Sequence, residues 1–411
     1  MTVEYLSSTP DTAIHRLNQE YIDLWFSCSN EFTLPFFSRC EQTAKEDQLQ
    51  TLFQQMPRIQ TDSAIIEWWS RDKIEPFMPF LRQAMQIVLD LSESESLDIF
   101  GEEFKSATFE FVEMAREFDS NLGQSEIFQA VRNLWIVNGL QRMMHEPVKL
   151  TPALLAYSLL YPYTDNYVDD PDISKEEKAG FNQRLALRLA GKPVTPNSAH
   201  ESRIYELIHM IEEQFPRSSF PMVYASIQAI HRAQITSMRL IDPKSSVSFE
   251  HILRISLEKG GTSVIADGTL VKGELSAEQI RFLYGYGAYL QFVDDLRDLQ
   301  HDHQANQLTI FTFDDDLLRR AQMVNHTFVF GAKVMNRMAK TAGAFLPLMQ
   351  KSINMLLIQS IGLMPEFFTP DTLQKLERHS TCSFAFLREK KKEMLNHVRY
   401  SHPSLCSVID V

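Results

Sequence analysis

The sequence predicts an all-α protein. Apolar residues recur at helical spacing nearly end to end, alternating strand patterns are few, and 14 glycines in 411 residues are too sparse for the turns of an all-β or doubly wound fold.

The elements follow in order. Ile14, Leu17, Tyr21, Leu24 and Trp25 fall at helical steps, as do Phe80, Leu81, Met85 and Val88. Residues 92–96 are polar and acidic and read as a loop, after which an amphipathic stretch runs from Ile99 to Phe118. Ser125 reads as the N-cap of a helix through Ile127, Val131, Leu134 and Val137. Pro152 suits the first turn of the next helix, which ends near Asp169; Phe181–Ala190 resumes helix and Gly191 stops it. Further helices are expected at Arg203–Phe215, Pro221–Leu240, Phe249–Val271, Ala277–Asp302, Leu317–Ala342 and Leu346–Ile361. The pattern divides into an N-terminal helical extension (residues 1–120) and a larger helical domain (121–411).

Composition narrows the class. Apolar residues make up 44% and charged residues 23%, as in ordinary globular proteins. A net charge of -13 argues against nucleic acid, whose phosphates need a basic face. It would also repel a diphosphate unless a divalent cation lay between them. Cys28, Cys40, Cys382 and Cys406 lie far apart with no metal-like spacing and read as reduced thiols. Met1–Pro10 carries no signal-peptide pattern and no apolar run of about 18 residues occurs, so a cytoplasmic protein without a transmembrane segment is expected. Homodimer formation and peripheral membrane contact stay open. The charged run Leu387–Lys392 reads first as a solvated face.

Two acidic clusters close apolar helices. Asp165 and Asp169, at the end of Ala153–Tyr163, are four apart and share a helix face. Asp294, Asp298 and Asp302 fall at i, i+4 and i+8, after the aromatic and small residues 282–290. Like charges at that spacing repel, which solvent or a bound cation must offset. Solvation suits an average acidic cluster, but helices this apolar favour a hard divalent cation such as Mg²⁺, which takes one or two carboxylates plus phosphate oxygens. Gly260–Gly261, inside a helix, admits two accounts: close packing of another helix, or a break that opens backbone groups to substrate. Lys259 beside it is a candidate for gripping an anion. Tyr157, Tyr161, Tyr163, Tyr284 and Phe292 are candidates for facing a bound cation through their rings, against ordinary core packing for each.

Gln291, Arg297, Asp298 and Asp302 resemble the second aspartate-rich motif of squalene and phytoene synthases, with Asp294 where that family has Asn. Asp294, Asp295 and Asp302 are also similar to the second metal motif of class I terpene cyclases, with Asp298 in place of a hydroxyl residue. Asp165 to Asp170 resembles the first motif of the squalene/phytoene group. Residues 188–193 and 257–263 resemble the segments that flank those motifs there, so the likeness spans about Ser125 to Ile310.

The resemblance implies a helical bundle of the isoprenoid synthase type. It implies several Mg²⁺ ions bound together with the diphosphate of a prenyl diphosphate substrate. Asp165, Asp169, Asp294, Asp298 and Asp302 would be metal ligands, with Asp165, Asp169 and Asp298 essential to catalysis. Arg297, Lys259, Gln291 and Tyr163 would bind substrate. The expected reaction is ionisation to a carbocation with release of diphosphate and a cyclised or eliminated terpene. Asp294 and the N-terminal extension incline the reading to a cyclase. Head-to-head prenyl coupling is the alternative, and a non-catalytic scaffold with solvated acidic stripes is the reading from another class.

Overall fold

A computed structural model of the chain describes residues 10–55, 75, 78–241, 247–338 and 345–401, with backbone alone for 10–11 and 394–401. Cys406 and positions 339–342 of the expected Leu317–Ala342 helix lie outside them. The described residues form helices and no strand: α1 (Pro10–Phe26), α2 (Arg39–Gln54), α3 (Met78–Val88), α4 (Glu93–Phe100), α5 (Glu102–Phe118), α6 (Gln124–Met143), α7 (Pro152–Asp169), α8 (Lys175–Leu189), α9 (Ala199–Gln214), α10 (Pro221–Ser237), α11 (Phe249–Lys272), α12 (Ala277–Arg297), α13 (Leu299–Gln304), α14 (Leu317–Asn336), α15 (Phe345–Leu363), α16 (Pro370–Glu377) and α17 (Phe384–Ser401). None is long and apolar enough to cross a membrane.

The all-α expectation holds, and the departures from it are local. Residues 92–96 are not a loop. Ser92 caps α4: its hydroxyl accepts from the Glu95 amide at 3.2 Å, and the Glu95 carboxylate accepts from the Ser92 amide at 2.7 Å. Ser174 and Glu177 start α8 in the same way, six residues before the expected Phe181. Helix α6 begins one residue ahead of Ser125, capped by Gly123 without a side-chain bond.

The chain folds as two compact units, residues 1–23 with 106–291 and residues 24–105 with 292–411, so each unit draws on both sides of residue 120. In the first, α7 packs against α6, α9 and α11. The Thr151 hydroxyl caps it at the Leu154 amide, Pro152 fills the first turn, and Ala153–Leu160 are all buried. Helix α11 is continuous through Gly260 and Gly261, so the packing account of the glycine pair holds and the break does not. A Cβ on Gly260 would collide with the Gly287 carbonyl and lie 2.6 Å from the Gln291 Cβ; one on Gly261 would strike the Tyr284 ring. Glycines let α11 and α12 cross backbone to backbone there.

In the second unit, a cluster of Phe37, Leu89, Leu91, Leu348 and Met355 joins segments far apart in sequence. Backbone anchors reinforce it, among them Gln42 Nε2 to the Glu377 carbonyl at 2.8 Å and Gln359 Nε2 to the Val88 carbonyl at 2.9 Å. The 387–392 run is not a plain solvated face. Lys390 is buried and pairs with Glu393 at 2.6 Å, and Arg388 donates to the Gly362 carbonyl at 2.7 Å.

Candidate active site

Helix α7 carries the first acidic pair on its closing turns. Asp169 is exposed, whereas Asp165 is half-buried beside a partly open void of about 70 Å³ lined by α7, α8 and α10. Leu160, Val168, Leu185, Ile227 and Ile230 make its apolar wall; Tyr161, Asn182, His231 and Gln234 supply its polar groups. A cavity of about 150 Å³ is what benzene fills, so this one has room for water rather than a prenyl chain.

One Asp165 oxygen carries all of its hydrogen bonds. Oδ1 accepts from Thr164 Oγ1 at 3.3 Å and from Gln234 Nε2 at 3.2 Å, and among the described residues Oδ2 accepts none. Burial pushes the Asp165 carboxyl up to about 6; the Lys259 ammonium opposes this and the Asp169 carboxylate adds to it. Lys259 therefore acts on Asp165 across the fold from α11. The glycine crossing sets the Gln291 Cβ over Gly260. Lys259 and Asp165, both singled out in the sequence, thus influence one another electrostatically within one unit.

The aromatic candidates divide. Tyr161 lines the void, its hydroxyl 2.6 Å from that of Ser263 and 3.4 Å from that of Tyr157, whose ring meets it edge-on at 5.5 Å. Tyr163 is committed to the fold. Its buried hydroxyl donates to Asp119 at 2.6 Å and its carbonyl accepts from His200 Nε2 at 2.8 Å. Tyr284 is fully buried against Tyr21 at 5.6 Å, and Phe292 packs on Trp25 at 4.8 Å and Phe330 at 5.3 Å. For Tyr284 and Phe292 the core-packing account holds.

The second motif is not one unbroken helix as expected. Helix α12 ends at Arg297, Asp298 leaves helical geometry (φ -89°, ψ 6°), and α13 starts at Leu299. The register survives the bend. The Asp298 amide donates to the Asp294 carbonyl at 2.9 Å and the Asp302 amide to the Asp298 carbonyl at 2.8 Å, so the four-residue spacing is kept. Asp302 and Asp295 are only 5% and 6% exposed, while Asp294, Arg297 and Asp298 are half-buried. A solvated acidic face would not bury two of its carboxylates.

Among the described residues no three His, Cys, Asp or Glu side chains gather as a metal cluster. Pairs of hard carboxylates that leave positions for water and phosphate oxygens are the donor set Mg²⁺ takes.

Reading the sequence missed Gln234, Asn182 and His231. His231 lies with its Nε2 donating to the Asn182 carbonyl at 3.2 Å, and burial holds its pKa below the usual range. No motif marks these residues, which the packing of α8 and α10 brings to the same void as Asp165. Arg188, from the segment that resembles a family flank, holds Glu212 with two hydrogen bonds of 2.6 and 2.7 Å.

Comparison with solved structures finds similarity to a geranyltransferase from Legionella pneumophila over 65% of this chain and 99% of that one, at 16% identity and a TM-score of 0.39. No family's sequence profile and no curated protein matches the chain.

Proposed function

We propose that the chain is a Mg²⁺-dependent isoprenoid synthase that ionises a prenyl diphosphate and releases diphosphate with a cyclised or eliminated terpene. The observation that carries this reading is Asp165, a half-buried carboxylate at the close of an apolar helix whose charge the Lys259 ammonium favours. Burial of Asp302 and Asp295 in the second motif stands against the solvated-scaffold reading.

Asp165 and Asp169 of the first motif, and Asp294, Asp298 and Asp302 of the second, are the proposed Mg²⁺ ligands. Bound Mg²⁺ would offset the charge that develops as the allylic C–O bond breaks. Lys259, Arg297 and Gln291 are the proposed diphosphate-binding residues, two charged donors and one neutral. Tyr163 supports the first motif by fixing the α7 backbone rather than by touching substrate.

Incubation of the purified protein with ten-, fifteen- and twenty-carbon prenyl diphosphates and Mg²⁺ tests the reading. Release of diphosphate that EDTA abolishes is expected, with a hydrocarbon or alcohol product of the substrate's own carbon number. A product with twice that number would assign head-to-head coupling instead. No diphosphate release from any substrate would overturn the proposal.

A further inference from the structure

We infer that Gln234, on α10, is a positioning residue for Asp165; this rests on the proposed function. The argument is the division of labour between the two carboxylate oxygens. Gln234 Nε2 and Thr164 Oγ1 both donate to Oδ1, at 3.2 and 3.3 Å, and among the described residues nothing donates to Oδ2. One oxygen is held and the other is left for a ligand. A carboxylate fixed in this way loses rotational freedom about its terminal bond before a metal arrives, so less ordering remains to be done on binding.

The donor is itself well anchored. The Gln234 carbonyl accepts from the Met238 amide and from Ser237 Oγ at 2.8 Å, which ties down the last turn of α10. Helix α10 packs on both α8 and α11, so the amide is presented from a fixed base. Thr164 cannot do this alone. Its hydroxyl also donates to the Leu160 carbonyl at 2.7 Å, within its own helix, and its bond to Asp165 is the longer of the two. Gln234 is the donor that ties Asp165 to a second helix.

Gln234→Met keeps the side-chain length and removes the donor; Gln234→Asn keeps the amide but withdraws it by one methylene. Mn²⁺ binding, followed by electron paramagnetic resonance in the presence of inorganic diphosphate, reads the effect without turnover. Both variants should weaken Mn²⁺ by roughly 10-fold or more, the size of effect seen when a group orienting a metal ligand is lost, while thermal melts stay near that of the unaltered chain. Loss of folding should not accompany both, since one variant is apolar and the other polar; whichever keeps the native melt decides. Unchanged affinity in a folded variant overturns the inference alone. Failure of the unaltered chain to bind Mn²⁺ with diphosphate overturns the proposed function, and this inference with it.

Discussion

The Gly260 backbone lies directly against that of Gly287, with each glycine's missing Cβ occupied by the other's carbonyl. The obstruction is backbone, which cannot swing aside as a side chain can. Gly260→Ala and Gly287→Ala should each destabilise the fold by about 1–3 kcal/mol, the range for overpacking a close contact. Calorimetric melts check this; an unchanged melt in both would mean that the helices separate freely. Gly260→Ala should also disturb diphosphate binding, since the added methyl meets the Gln291 Cβ.

Asp169→Ala should reduce turnover by about 10²–10³, the scale of losing one charge-stabilising group. It should leave the melt unaltered, because the residue is exposed. Lys259→Ala should raise KM for a prenyl diphosphate more than it lowers kcat, as expected for a group that grips the diphosphate in ground and transition states alike. Wild-type kinetics in either variant would remove that residue from the site.

Glu212 carries a pH dependence that has nothing to do with catalysis. Arg188 and Arg217 both donate to it, and despite partial burial its pKa is held down to about 2. The folded value lies below the unfolded one, so the stabilisation is full above about pH 4.5 and fades as pH falls through 2. Glu212→Gln should destabilise by about 2 kcal/mol at pH 7, after allowance for solvent screening, and by little near pH 2. Melts across that range test it.

Asp267 behaves in the opposite sense. It is fully buried, Asn133 Nδ2 donates to its Oδ1 at 3.2 Å, Oδ2 has no partner, and burial raises its pKa well above the ordinary value. A raised folded value means that stability is fullest at acid pH and declines as pH rises through it. Asp267→Asn keeps the shape and the acceptor, so its melt should match or exceed that of the parent at pH 8, with the advantage shrinking in acid. A markedly lower melt at pH 8 would show that the carboxylate is needed as an anion.

What the sequence exposed was local. The periodicity of residues 152–169 marks α7 because an N-cap, a proline and an apolar run all lie within it, and both acidic spacings survive in the fold. Ser92–Ser96 misleads because its composition is that of a loop, although Ser92 and Glu95 carry the capping signature. The Gly260–Gly261 pair is ambiguous from one helix alone, since only the opposing Gly287 decides between packing and a break. Gln234 was illegible for the same reason: nothing near it in sequence marks it, and its chemistry arises 69 residues from its partner Asp165. Lys390 sits in a run that looks solvated until neighbouring helices cover it.

The discontinuous build of the second unit bears on how the chain emerges from the ribosome. Residues 24–105 complete their core with partners such as Leu348 and Met355 beyond residue 292, and about 190 residues separate the two segments. At synthesis rates of about 5–20 residues per second, the early segment waits roughly 10–40 s before its partners begin to appear. Throughout that interval Phe37, Leu89 and Leu91 lack the Leu348 and Met355 side of their core, which makes the nascent N-terminal helices a natural client for chaperones and a foreseeable origin of aggregation during rapid overexpression.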